Sequence, residues 1–439
     1  MIDPMSFQAF SSVKVFTSNK KSWTTWLLIF ACVCGIIGSA SRVPAAKQPK
    51  QSAPKFELKD GDRVVFLGNT LIERAQKYGY FELVLTAAHP DRKIIFRNLG
   101  WDGDTVWAES RGIFDAPAKG YQRMLAHVGR IKPTVIFLGY GNNEAFAGIA
   151  GLPKFIAQYN KLLDDLTKAS AKGVRFVFIA PVNHFSLGKP LPSAAPFNAI
   201  NQHYIKAVQQ IAQKRNAPVL DFNGLIDVAQ QNYNDAKLGR TAFKPTIYQN
   251  GWTHNGLHWR HNAYKSFASE IAVSLLGRYG MWAVHAKADG TLVNSHGVEA
   301  KVSKIKDGLK LNVTGREYHL GTILYLARDL PEGTWELRSG NRVLNRQNVG
   351  KKGWNFTLKS GPEIDRYEKL RKAIIEKNML YFHSWRPQNV TYLFLFRKHE
   401  QGQNAKEVKE FEKLVAEKEQ EIDRLKKPVT YTYELIRVK

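Results

Sequence analysis

Cysteine is almost missing from this chain of 439 residues, which has two, Cys32 and Cys34. Both fall in an N-terminal stretch where Lys20-Lys21 precede the apolar run Trp26 to Gly38, and the small residues Ser39-Ala40-Ser41 follow. That order gives a basic region, a short apolar region and a cleavage site with Gly38 and Ala40 at the small positions. The run falls short of the ~20 residues that a membrane-spanning helix needs. Residues 1–40 are therefore expected to be a signal peptide, with an uncleaved anchor as the alternative. Too little apolar sequence precedes Cys32 for a lipoprotein signal. Once the leader is removed no cysteine remains, which excludes a disulfide, a thiolate nucleophile and a cysteine zinc site. Such an exported chain, periplasmic or extracellular, must rely on its cores, and a 44% hydrophobic composition with 10 Trp supplies them.

Acidic residues are also scarce. Lys and Arg number 64 against 38 Asp and Glu, a net charge of +26; without residues 1–40 the balance is 61 to 37, or +24. Outside the cytoplasm the matching acidic partners are anionic polysaccharides, cell-wall polymers or lipid headgroups. The lysines are scattered, without the dense basic block and interleaved aromatics of nucleic-acid binders, so no nucleic-acid partner is expected.

Residues 41–55, SRVPAAKQPKQSAPK, form a Pro/Ala/Lys linker without apolar periodicity. From there to about Tyr279 short apolar runs alternate with amphipathic ones. RVVFL (63–67), KIIFRNL (93–99), TVIFLGY (134–140), VRFVFIAPV (174–182) and PVLDF (218–222) have the near-continuous apolar character of strands buried on both faces of a parallel sheet. Between them, residues 152–173 place Phe155, Tyr159, Leu162, Leu163 and Leu166 on one helical face, with Gly173 as the stop. Strand and helix in alternation over ~220 residues predict a doubly wound α/β domain, flavodoxin-like in class, over 56–283. Residues 298–315 and 333–348 alternate apolar with polar and predict a small antiparallel β module over 284–361. Residues 362–439 read as a helical C-terminal region. Its charged helix, 405–427, carries Val408, Phe411, Val415, Ile422 and Leu425 in one stripe, too short for a coiled-coil dimer. TYTYELIRV (430–438) is expected to close the chain as an edge strand.

In a doubly wound sheet the chemistry gathers beyond the carboxyl ends of the strands. Gly68-Asn69-Thr70 follows the first strand, NLGWDGDT (98–105) ends the second, and GYGNNEAF (139–146) ends the third. THNGLHW (253–259) precedes the domain's last helix. Four such loops in this order resemble the SGNH (GDSL-like) hydrolases, over roughly residues 60–280. The resemblance implies Thr70 in the place of the nucleophilic serine, and Gly103 as the oxyanion glycine. It implies Asn143 of GNNE as the oxyanion asparagine, with Glu144 in place of an aspartate, and His258 of NGLH as the base. FHSWRPQN (382–389) and FRKHEQGQNA (396–405) further resemble the tails of a planctomycete-type branch of these proteins.

The chemistry asks for such a set. Ester cleavage needs a hydroxyl that loses its proton as it attacks, and imidazole accepts one near neutral pH. The oxyanion needs preorganised donors, each worth roughly 2.7–4 kcal/mol. Two departures stand out. Thr70 carries a β-methyl that restricts χ1, and the family's aspartate three residues before the histidine is Asn255. A backbone carbonyl, Asp102 or Asp221 remains open as the group that orients His258. Taken alone, Thr70 also reads as the N-cap of a helix starting at Leu71, with Glu73 completing a capping box. His254, His258 and His261 form H-x3-H-x2-H, but Gly256 argues for a loop and no further ligand is evident, so no metal and no cofactor are expected. His383 and Arg386 are candidates to reach over the active site from the C-terminal region, while Trp385 and Pro387 look more like a packing corner; none of them enters the catalytic set. The implied activity is removal of an acyl group, an acetyl, from a polysaccharide through an acyl–Thr70 intermediate. The alternative is a pseudo-hydrolase that binds an acidic glycan.

Overall fold

Strand β1 (Arg63–Gly68) shows why the first half folds as it does: Val64 and Phe66 enter one core, Val65 and Leu67 another, and all four are buried. A strand apolar on both sides belongs in the middle of a sheet covered by helices on each face. The computed structural model describes residues 56–112, 115–240, 251–277, 281–315, 321–326, 329–350, 354–358, 360–386 and 405–438. The expected signal peptide, the linker and the stretch 396–404 lie outside the described residues.

Parallel to β1 run β2 (Ile95–Asn98), β3 (Val135–Gly139), β4 (Arg175–Ile179) and β5 (Val219–Leu220), in the order β2-β1-β3-β4-β5. This is the flavodoxin-like order, and its crevice opens where β1 and β3 part. Helices α1 (Thr70–Tyr78), α2 (Tyr80–Ala87), α3 (Pro117–Ile131), α4 (Leu152–Ala169), α5 (Ala195–Lys214), α6 (Asn223–Lys237) and α7 (His261–Glu270) cover the sheet. On α4 the five residues of the apolar stripe are all buried.

The β module is larger than the alternating runs suggest. β6 (Met281–Ala286), β7 (Leu292–His296), β10 (Gly321–Leu326) and β13 (Trp354–Leu358) form one sheet, ordered β13-β10-β6-β7. β8 (Val298–Ile305), β9 (Gly308–Gly315), β11 (Gly333–Ser339), β12 (Arg342–Val349) and β14 (Thr430–Val438) form another, ordered β12-β11-β14-β9-β8. Trp282 and Val284 of the first sheet share a core with Leu311, Trp335, Leu337, Tyr433 and Leu435 of the second. The expected edge position of the last strand does not hold. β14 is not an edge strand but lies between β11 and β9, paired on both sides. Its alternation reports one buried face and says nothing about neighbours, so sequence alone left the position open.

Helix α8 (Pro362–Trp385) and helix α9 (Ala405–Leu425) pack on the α/β domain. Leu370, Ala373, Ile374 and Ile422 join one of its cores and Trp385 the other. The Nζ of Lys377 lies 2.7 Å from Glu82 on α2, and both side chains are buried.

Candidate active site

The helix that follows β1 begins one residue earlier than its capping pattern suggests. Asn69 is the N-cap: its backbone is extended and its Oδ1 accepts from the N–H of Leu71 at 3.1 Å. The cap reading of Thr70 is thereby replaced. Thr70 occupies the first helical position, and its Oγ1 receives the N–H of Gly103 at 3.0 Å. The hydroxyl sits at a helix N-terminus, where the positive end of the dipole favours developing negative charge.

The loop after β2 is fastened to α1. Asn98 donates to the Ile72 carbonyl at 2.7 Å and receives the N–H of Gly100 at 2.8 Å. Gly100 passes so close to the helix that a Cβ there would lie 2.3 Å from the Glu73 nitrogen, which only glycine tolerates. Three residues on, Gly103 takes φ +72°, a left-handed conformation that turns its N–H toward Thr70. Next to it Asp104 is buried against Arg111 at 2.8 Å, and Tyr140 donates to it at 3.1 Å. Burial holds the Asp104 carboxyl above its ordinary range even against these partners.

Asn143 comes from the loop after β3. Its Nδ2 donates to the Asp104 carbonyl at 2.7 Å, joining the third loop to the second. An amide nitrogen has two hydrogens, so one remains for a ligand. Glu144 binds the same loops together, accepting from Val106 N–H and Gly141 N–H, each at 2.8 Å. Burial outweighs those two donors and lifts its pKa to about 7. Glu144 is therefore a structural clamp.

The histidine loop is a tight hairpin. Thr253 bridges to Trp259, His254 N–H donates to the His258 carbonyl at 2.8 Å, and Thr253 Oγ1 reaches that carbonyl at 2.9 Å. Asn255 Oδ1 accepts from the N–H groups of Leu257 and His258 at 3.1 and 2.9 Å. Those donors fix which way the amide points, because flipping it would set an NH₂ against two N–H groups. Nδ2 then faces His258 Nδ1 at 3.3 Å, so Nδ1 accepts and the ring proton lies on Nε2. Burial, followed by the charge of Arg74, pushes the His258 pKa down, while Asp102 opposes. The imidazole is neutral at pH 7, in the tautomer that donates from Nε2. Of the carboxylates considered for orienting it, Asp221 is spent on Asn223, at 3.0 Å to its N–H and 2.7 Å to its Nδ2. Asp102 acts on His258 through its charge and lies 3.6 Å from Arg74. His261 turns elsewhere, its Nε2 2.9 Å from the Tyr80 hydroxyl.

The structure thus bonds Gly103 directly to Thr70, ties Asn143 to Asp104, the residue after Gly103, and sets His258 in the electrostatic field of Asp102 and Arg74. Sequence reasoning missed the buried Asp104–Arg111–Tyr140 group beneath the loop. Its sequence signal, an arginine in ESRG seven residues after Asp104, is faint.

Residues 70–265 match the GDSL-like Lipase/Acylhydrolase family. No protein of curated function matches the sequence. Among solved structures the chain is similar to a gut microbial diltiazem-metabolizing enzyme, at 13% identity and TM-score 0.64, covering 88% of this chain and 99% of that one. An acetyl xylan esterase follows at 16% identity and TM-score 0.33, covering 48% and 97%. An extracellular lipase from Streptomyces rimosus stands at 16% and 0.31, covering 49% and 100%. Residues 70–265 thus match a GDSL-like lipase/acylhydrolase domain, and the fold is shared with the diltiazem-metabolizing enzyme. The family is one of esterases and acylhydrolases, and its substrates are esters.

Proposed function

We propose that this protein is an exported esterase that removes acyl groups, acetyl in the first instance, from a polysaccharide through an acyl–Thr70 intermediate. The observation that carries the reading is the 3.0 Å bond from Gly103 N–H to Thr70 Oγ1, which supports a pairing of nucleophile and oxyanion donor at these two residues. In the first step Thr70 Oγ1 bonds to the ester carbonyl carbon, and its proton passes to His258. Gly103 N–H and the free Asn143 hydrogen stabilise the oxyanion. The alcohol then leaves with the proton from His258, and water repeats the sequence to release acid and restore Thr70. With Nδ1 committed to Asn255, Nε2 is the nitrogen left for that proton, and it accepts only in the minor tautomer. This sets a slow rate.

Export is supported by the leader pattern, and a glycan substrate by two features of the surface. The +24 charge expected after cleavage suits an acidic polymer. Phe146, three residues after Asn143 and 68% exposed, leans on Phe197 and His184 and offers an apolar face to the C–H side of a sugar ring. The second reading, a pseudo-hydrolase that binds an acidic glycan, is favoured by the Asn255–His258 contact. Acetate release from acetylated xylan and acetylated peptidoglycan decides between the two. The proposal expects release that Thr70→Ala abolishes, whereas binding without release supports the second reading.

A further inference from the structure

We propose that Arg386, at the C-terminal end of α8, is a positioning residue for the loop that carries the Gly103 N–H; the proposal rests on the esterase reading of that group. The loop is well fastened at its ends. Arg111 donates to the Leu99 carbonyl at 2.8 Å, Gly100 N–H is held by Asn98, and the Asp104 side chain is buried against Arg111 and Tyr140. Its middle is different: Trp101 is half-buried, and Asp102 and Gly103 are exposed. Arg386 meets this middle from nearly 300 positions downstream. Its guanidinium lies 3.4 Å from the centroid of the Trp101 ring, and Nη1 donates to the Gly100 carbonyl at 3.4 Å.

Arg386 is itself held in place. The neighbouring Trp385 belongs to the core, 6.0 Å from Trp101 between ring centroids and 5.3 Å from His127. Glu73, Asp102 and Asp104 supply opposing charge, and although burial brings the guanidinium's pKa down to about 10, it stays cationic at neutral pH. A planar guanidinium on an indole face restrains the ring as a plane, which an ammonium cannot do. Trp101 stands two residues before the N–H that must keep its aim, and hydrogen-bond strength falls steeply with misalignment. Arg386 thus has a task that its distance in sequence hides: it braces the oxyanion loop from outside the α/β segment.

The test uses the full chain with Arg386→Ala and Arg386→Lys. The proposal expects kcat to fall about 10- to 100-fold in Arg386→Ala with KM within about twofold, since mis-aimed groups cost rate rather than binding. Arg386→Lys should recover only part of the loss, and melting temperatures should stay close to wild type. Hydrogen exchange of the peptide 99–105 should quicken in both variants, a readout independent of any substrate. If wild type proves inactive, the esterase reading fails while the exchange measurement still judges the brace. Unchanged exchange, an unchanged kcat, or full rescue by lysine would each overturn the proposal. Should Arg386→Ala not fold, Arg386→Lys alone carries both measurements.

Discussion

In the proposed mechanism Asn255 is the residue on which the rate turns. Replacing the orienting aspartate of a serine protease by asparagine lowers kcat about 10⁴-fold, chiefly through the wrong tautomer, and Asn255 imposes that tautomer here. Asn255→Asp keeps an oxygen for the N–H groups of Leu257 and His258 and offers the other to Nδ1–H. The expected result is a gain of at least about 100-fold in ester hydrolysis, with the imidazole ¹⁵N shifts of His258 moving to the Nδ1–H form. No gain, or a wild-type spectrum already in that form, would defeat the assignment. The pH profile follows from the lowered His258 pKa: the base is free of its proton above that value, so the acid limb of kcat/KM should have its midpoint below the ~6.5 of an ordinary histidine. A midpoint above it would contradict the environment described. At this scale the four candidate residues were legible in the sequence because each follows a strand or precedes a helix; their catalytic roles are the proposal's. The sequence left the capping role of Asn69 and the direction of the Asn255 amide open, since both depend on which N–H groups converge in space.

At the scale of elements, α8 is the part whose role is least visible in sequence. Its Lys377 is buried with Glu82 of α2, and Lys377 Nζ also donates to the Phe96 carbonyl at 3.1 Å. Burial shifts both groups toward their neutral forms, Glu82 upward and Lys377 downward, so desolvation outweighs their attraction. Lys377→Met leaves a buried carboxylate without its cation and should cost about 3–5 kcal/mol, whereas adding Glu82→Met to it should recover most of that loss. Denaturant unfolding of the two variants measures it; a single variant as stable as wild type would show that the pair does not join α8 to the domain. The sheet strands were legible because each is a short apolar run buried on both faces. The partners of α8 were not, because an amphipathic helix shows that it is covered but not by what.

Taken whole, the chain returns twice: α8 and α9 complete the α/β cores, and β14 then crosses into the β module between β9 and β11. A fragment ending at residue 361 would uncover the faces that Leu370, Ile374 and Trp385 fill and remove the middle strand of a sheet. It is expected to lack a cooperative melt and near-UV circular dichroism. A stable, active fragment would show the C-terminal region to be dispensable. Sequence texture marked a change near residue 284 and another near 362, yet texture records local pattern, while packing is decided by contacts between distant segments. The most direct measurement is hydrolysis of p-nitrophenyl acetate by the purified protein beside Thr70→Ala and His258→Ala, with imidazole and lysine background subtracted. The account predicts activity in wild type that falls to background in both folded variants. Equal rates in all three would contradict Thr70 as the nucleophile.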